Sequence, residues 1–404
     1  MSVLSSIDKD CPIPEPFRAN IWNISTIASL FFLTFLGRFI FAPLMPTIEN
    51  DLGISHAQAG SLFLMISIGL FISQVSSGYL TSRFNHRGTL FVSTLVLGLP
   101  LLWLLIDSSL LSLRVVAFIV GMGTGLHMPS AIATITAMVT RPDWGKALGL
   151  HGTAPPMALA IGPFLAVILL NYLPWQNIVA GIGVITIIAA FVFYRRSKFG
   201  DFPGEPPGRQ VLSAVLRQRS FWIMVVLFSL FLSGAIGLYS MLSLYLIKEA
   251  GMSADLANSL VGLSRLTGLF TTFLSGMVMD RIGEKKHITL VMMAAGLATI
   301  LIGTTSGPLL MVLIFIQPTL LGCFPTAGFS AMARTVQPNL RSAATSFTSP
   351  IAMIIGGGLT PTLLGYVGET YSFSAGITVM GCLIVVCPLL VLPLRLLDKF
   401  EDGC

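Results

Sequence analysis

Charge is scarce in this chain. Of 404 residues only 10% are Asp, Glu, Lys or Arg, and 54% are hydrophobic, with a mean hydropathy of +0.87. Soluble domains carry about a quarter charged residues. So few charges do not cover a water-exposed surface of this size, which excludes a soluble fold and a disordered chain. Cysteine is scarce too. The five, Cys11, Cys323, Cys382, Cys387 and Cys404, fall in apolar runs or at segments placed inside, which excludes a disulfide scaffold; Cys323 reads as a small packing residue. There is no Gly-Lys-Ser/Thr phosphate loop, so ATP-driven pumping is not expected. The glycine runs at 121, 123 and 125 and at 356–358 lack the strand–helix setting of a dinucleotide loop and read as sites of close helix approach and bending. No His/Cys/carboxylate cluster suggests a metal, so neither metal nor cofactor nor enzymatic chemistry is expected. No basic stretch interleaves with aromatics, so nucleic acid is not an expected partner. The acid- and proline-containing N-terminus shows no cleavage site and predicts no signal peptide.

Long apolar runs are what the chain does have. A bilayer core needs about 20 apolar residues per helix. Twelve runs meet that, at 22–46, 57–80, 89–106, 112–138, 147–170, 173–194, 221–246, 256–279, 288–305, 308–332, 343–366 and 371–394. They lack the period-two alternation of an outer-membrane barrel. The fold class is therefore an all-α membrane protein of twelve transmembrane helices. If the N-terminus is inside, 19 of the 23 Lys and Arg fall in inner segments and only Arg114 and Lys248 in outer loops, which predicts both termini in the cytoplasm and a multi-pass protein of the cell (inner) membrane. The remaining two, Arg38 and Arg265, lie within runs. All 17 acids fall in loops on this count, among them Glu49 in an outer loop, leaving the two arginines without a carboxylate.

A polar stretch at 195–220, rich in Pro and Gly, divides six runs from six. The expected organisation is a six-helix bundle at 1–194, a linker with an amphipathic helix at 195–220, and a second six-helix bundle at 221–404. The halves repeat. Asp51-Leu-Gly-Ile-Ser55 matches Glu249-Ala-Gly-Met-Ser253 at an offset of 198, Gly78 and Arg83 match Gly276 and Arg281 at the same offset, and Pro129 and Pro142 match Pro325 and Pro338 at 196. Two pseudo-symmetric bundles related by an axis along the membrane normal are a known transporter layout.

With these residues in place the chain resembles the major facilitator superfamily over essentially its whole length. The loop between runs 8 and 9 carries that family's signature well: Gly276, Asp280, Arg281, Gly283, Glu284, Lys285 and Lys286. The copy between runs 2 and 3 is degraded to Gly78, Ser82, Arg83, Asn85, His86 and Arg87. The resemblance implies a gating latch on the cytoplasmic side using Arg83, Asp280 and Arg281, with Asp280 capping a helix and pairing with an arginine; Ser82 stands where the first-half acid belongs. The bland reading is a solvated basic loop that only sets topology.

An arginine at a helix centre costs ~2.5–3.5 kcal/mol on insertion scales. Arg265 lies within roughly 4 Å of the midplane and Arg38 about 6 Å to its outer side, at a rise of 1.5 Å per residue. Two guanidiniums at one depth, one per half and without fixed anions, suit an anionic substrate that brings the missing charge. The other reading of Arg38 is a side chain that snorkels outward or bonds carbonyls freed by Pro43 and Pro46. Residues 37–46 resemble run 1 of the superfamily's organophosphate:phosphate antiporters, but no cation stands in run 7. A cation in run 8 resembles the oxalate:formate and monocarboxylate branches, although run 11 lacks the oxalate exchanger's lysine. Small monoanions, with sulfonates as a close rival, are the expected substrates. Tyr239 and Gln317 are candidate neutral donors to the anion, or else satisfied bundle residues. His127 is a candidate for substrate binding and, with His151, for proton coupling, since no acid is available; the alternative is a neutral histidine bonded to a carbonyl near a proline. The expectation is thus a monomeric secondary transporter in the lipid bilayer that moves a small organic anion, by proton coupling or exchange. The alternative is a drug or toxic-compound exporter of the same fold, since residues 125–163 loosely resemble drug-resistance members.

Overall fold

The computed structural model describes residues 14–394, apart from 198, 205–208 and 338–339. Both chain ends, with Lys9, Lys198, Arg395, Lys399, Cys11 and Cys404, lie outside the described residues. Among the described residues ten helical stretches are long and apolar enough to cross a bilayer. One of them, His56–Trp103, has 48 residues, about 70 Å at 1.5 Å per residue, twice what a crossing needs. It breaks at Asn85 (φ 54°, ψ 175°) and so makes two crossings. Ala254–Leu266 continued by Gly268–Ile282 supplies one more, which brings the total to twelve. No strand forms among the described residues, only a single bridge between Glu15 and Val139.

The crossings are numbered as spans here. Span 1 is Phe17–Phe39 and Phe41–Leu52, spans 2 and 3 the parts of His56–Trp103 before and after Asn85, span 4 Leu110–Met138, span 5 Trp144–Gly152 and Ala154–Leu169, and span 6 Trp175–Arg196. Span 7 is Arg219–Leu232, Ser233–Gly237 and Leu238–Lys248; span 8 is the pair just given. Span 10 is Gly307–Leu321 and Phe324–Thr335, and span 11 Arg341–Met353, Ile354–Leu359 and Thr360–Thr370. The internal repeat is visible in the backbone. Gly53 (φ 62°) and Gly251 (φ 69°) turn the corners after spans 1 and 7. Asn85 (φ 54°) and Gly283 (φ 82°) turn those after spans 2 and 8. Each pair is 198 residues apart and sits in the left-handed region, where Gly is free and Asn is the best tolerated substitute. Asn85 compensates by accepting the Gly88 N–H through Oδ1 at 2.7 Å, capping span 3.

The two halves meet tightly toward the face that carries the 53–55 and 250–253 corners, here the distal face. Gly60 and Gly365 have backbone of the opposite half where a Cβ would stand. Thr362 donates to the Gly60 carbonyl at 3.2 Å, Asn258 to that of Pro43 at 3.4 Å, and Lys248 to Asn50 at 2.7 Å. On the opposite, linker-bearing face no hydrogen bond among the described residues joins the halves. The molecule is therefore closed distally. The linker itself is strapped to the first half. Arg87 N–H donates to Gly200 O at 2.9 Å and His86 N–H to Phe202 O at 3.2 Å, while Arg87 Nη1 and Asn85 Nδ2 hold Asp201 at 3.1 and 3.2 Å.

Candidate functional site

Arg38 and Arg265 are both buried, at 2% and 7% exposure, and an aromatic pair joins them. The Arg38 guanidinium lies 4.6 Å from the centre of the Phe39 ring and that of Arg265 4.6 Å from the Tyr239 ring. Phe39 and Tyr239 meet edge to face at 5.9 Å. The two cations thus share one locus between the halves, each with one face covered by a ring. Such stacking is worth about 2 kcal/mol when desolvated, and it offsets part of the cost of burial. The rest is not offset by an acid. Arg38 makes no hydrogen bond among the described residues, and its Nε is buried and unpartnered. Arg265 Nη1 donates to Ala235 O at 3.2 Å, while its Nε is likewise without a partner. Among the described residues neither forms an ion pair. Arg38 therefore does not snorkel and does not use the carbonyls near Pro43.

Glu49 corrects the sequence reading. It is not a loop acid but a buried residue, 5% exposed, in the last turns of span 1. It binds His56 Nδ1 at 2.9 Å, so it is committed to the distal corner and not to either arginine.

Two wide helical turns stand against the arginines. Spans 7 and 11 pass through π-helical segments at Ser233–Gly237 and Ile354–Leu359. These pack on each other: a Cβ on Gly237 would meet Gly356 O at 2.5 Å, and Ser233 Oγ and Thr360 Oγ1 are 2.8 Å apart. π-turns displace carbonyls from their usual partners. Side chains take them up: Arg265 on Ala235 O, Gln317 Nε2 on Gly234 O at 3.1 Å, and Thr360 Oγ1 on Ile355 O at 3.0 Å. Arg38 Nη2 lies beside the second segment, at 3.5 Å from where a Gly357 Cβ would be. Sequence reading missed both π-turns. The visible signal was the triplet 356–358, read for close helix approach and bending; Gly234 and Gly237 were not singled out.

The remaining candidates separate. Tyr239 is brought to the arginines by its ring, but its hydroxyl is spent on Leu159 O of the other half at 2.9 Å. Gln317 faces the span 7 π-turn. His127 and His151 do not join the arginines. They stack with Phe31 in parallel planes inside the first half, His127 5.1 Å and His151 4.3 Å from the Phe31 ring and 5.9 Å from each other. Both nitrogens of His127 and Nε2 of His151 are buried without partners, so the expected carbonyl bond is absent. Phe31 is seven residues before Arg38, on the same helix face, and Phe35 and Phe39 continue the row at ring spacings of 5.0 and 5.6 Å.

At the linker face Arg83, Asp280 and Arg281 are exposed. Among the described residues Asp280 caps no helix and forms no ion pair with Arg281. Gly283 is the residue before the next helix, and the acid that pairs is Glu284, which holds Arg334 at 2.8 Å and accepts from Ser330 at 3.0 Å. The reason is the Gly283 turn, which sends the chain into Glu284–Thr304 with Glu284 in its first turn facing the end of span 10. In the first half the missing acid at Ser82 is made good from the linker by Asp201.

Comparison with known proteins agrees with this architecture. The family profile described as Major Facilitator Superfamily matches residues 27–308 and 238–403. The chain is 22% identical over 174 residues to a probable sulfoacetate transporter of Cupriavidus necator, a match covering 42% of this chain and only 40% of that protein. It is 22% identical to the 4-hydroxybenzoate transporter of Acinetobacter baylyi over 76% of this chain and 77% of that one, and 23% identical to a putative multidrug resistance protein of Escherichia coli over 91% and 90%. Among solved structures, a bacterial homologue of the human lysosomal transporter Spinster, inward-facing and occupied, superposes with a TM-score of 0.79 at 14% identity, over 94% of this chain and 97% of that one. A D-xylose–proton symporter gives 0.73 at 16%, over 93% and 98%. Twelve crossings in two repeated halves, a profile match along most of the length and this shared fold lead to one conclusion: the chain belongs to the major facilitator superfamily of membrane transporters.

Proposed function

We propose that the protein is a secondary transporter for a small organic anion, a carboxylate or sulfonate, held between Arg38 and Arg265. The observation that carries this reading is the linking of two buried guanidiniums, one from each half and neither ion-paired among the described residues, through the touching rings of Phe39 and Tyr239. An anion placed there neutralises charge that the protein leaves uncompensated, and it bridges halves that alternating access must move. Arg265 offers a planar fork and Arg38 a second one across the Phe39–Tyr239 pair. The relatives named for sulfoacetate and 4-hydroxybenzoate transport support the class. His127 and His151 are the proton-accepting groups of the first half in this reading, and Arg83, Asp280 and Arg281 act in gating at the linker face. Both chain ends and the linker are cytoplasmic, the bundles are 1–194 and 221–404 with 195–220 between them, the location is the cell inner membrane, and the transporter works as a monomer. A second reading, export of a drug or toxic compound, rests on the nearly full-length match to the multidrug-type protein. The lack of any interior acid near the arginines argues against cationic compounds.

The test is ligand-induced thermal stabilisation of the full chain with benzoate, 4-hydroxybenzoate, sulfoacetate and a cationic dye, followed by uptake into proteoliposomes. Anions should stabilise the protein and be taken up, and Arg265→Ala should weaken both by about the thirtyfold loss of affinity that a missing charge-assisted bond of about 2 kcal/mol entails. Stabilisation by the dye alone sinks the reading.

A further inference from the structure

We infer that the paired π-turns of spans 7 and 11 form an anion-operated hinge, with Arg265 as its trigger. The inference rests on the anion reading above and adds what binding does to the protein. Five observations carry it. The two π-segments touch, through Gly237 against Gly356 and Ser233 against Thr360. The displaced carbonyls of Gly234 and Ala235 are held from outside span 7, by Gln317 of span 10 and Arg265 of span 8. The second segment abuts Arg38 of the opposite half. The helix that follows the first segment, Leu238–Lys248, carries Lys248, which bonds Asn50 in the distal closure. Thr360–Thr370, which follows the second, packs on Gly60 and His56 there. Both distal contacts are therefore anchored through the two segments that the arginines touch.

In the arrangement described, Arg265 divides its donors: Nη1 is on Ala235 O and Nε has no partner. A carboxylate drawn in by the two cations first takes the edge whose Nε has no partner and, as a charged acceptor that bonds more strongly than a neutral carbonyl, turns the planar fork toward itself and draws Nη1 off Ala235 O. Ala235 O then loses its partner in a site poor in water. A π-turn with a freed carbonyl relieves it by shifting its extra residue along the helix. The half-helix beyond it rotates, and Lys248 moves relative to Asn50. Gln317 keeps Gly234 O and fixes where the shift stops. Arg265 is in this sense a positioning residue for span 7 as well as an anion ligand, and Gly237 is the residue that lets the two π-turns slide.

The experiment is hydrogen exchange on the full chain in nanodiscs with and without benzoate, with sulfoacetate as a second probe and binding followed in parallel by thermal shift. Binding should raise amide exchange in 233–248 and 354–370 at least threefold and leave spans 4 and 6 unchanged. Gly237→Ala, whose methyl meets Gly356 O, should bind benzoate within threefold of the parent and lose at least tenfold in uptake rate. Gln317→Leu should raise exchange in 233–237 before any anion is added. If benzoate and sulfoacetate bind but exchange in both segments is unmoved, the hinge is wrong and the anion site survives. If Gly237→Ala transports at the parental rate, the hinge is also wrong. If neither probe binds, the anion reading fails and the hinge with it.

Discussion

Phe39 and Tyr239 meet edge to face with ring centres 5.9 Å apart, across the boundary between the two repeated halves, and each carries a buried arginine on its face at 4.6 Å. This contact links two membrane cations, one from each half, through their rings. The rings stabilise the guanidiniums without neutralising them, which leaves charge for a ligand.

Removal of either cation should therefore hurt binding more than folding. Arg265→Ala loses a charge-assisted bond to the anion worth about 2 kcal/mol, so affinity for the best-binding carboxylate should fall about thirtyfold, and the melting temperature should change by only a few degrees. Arg38→Ala should do the same. Their double mutant should lose less than the two single effects combined, because both act on one ligand. Isothermal titration of the four proteins measures this.

Tyr239 has two separable roles. Tyr239→Phe keeps the ring under Arg265 and deletes the bond to Leu159 O. The expected outcome is a loss of about 1 kcal/mol in the distally closed form and anion affinity within threefold of the parent. Tyr239→Ala should lose both. Thermal denaturation and the same titrations separate the two.

The histidine stack makes a prediction about driving force. His127 and His151 have no protein partner for the buried nitrogens named above, which leaves those nitrogens open to take up and release a proton. His127→Gln should abolish stimulation of uptake by an inward pH gradient while anion counterflow, which needs no net proton movement, persists. A mutant that retains full stimulation removes His127 from coupling.

At the linker face, Glu284→Gln breaks the pair with Arg334. Both side chains are partly solvated, at 14% and 25% exposure, so the cost is about 1 kcal/mol or less. Asp280→Asn, which touches no partner among the described residues, should leave stability unchanged. Chemical denaturation of the two variants distinguishes the residue that fixes the corner from the one that a motif alone would choose.

Much of this was legible in the chain itself. Twelve crossings follow from run length against bilayer thickness, and the repeat from offsets of 198, because duplicated corners need the same left-handed residue at the same place. That Arg38 and Arg265 lie at similar depth follows from the rise of a helix, and that they lack acids from a count of carboxylates. Glu49 escaped the count because the helix runs past the apolar stretch and buries the acid against His56, a pairing seven residues apart across a turn.

Composition and periodicity determined the class, the crossings and the two buried cations, since burial of apolar length and the cost of charge in lipid are properties of the chain alone. Which aromatic ring covers each cation, which carbonyl takes Arg265 and Gln317, and that the histidines stand apart in their own stack were decided only by tertiary packing. Helix rotation and a single extra residue in a π-turn set them, and neither leaves a period in the sequence.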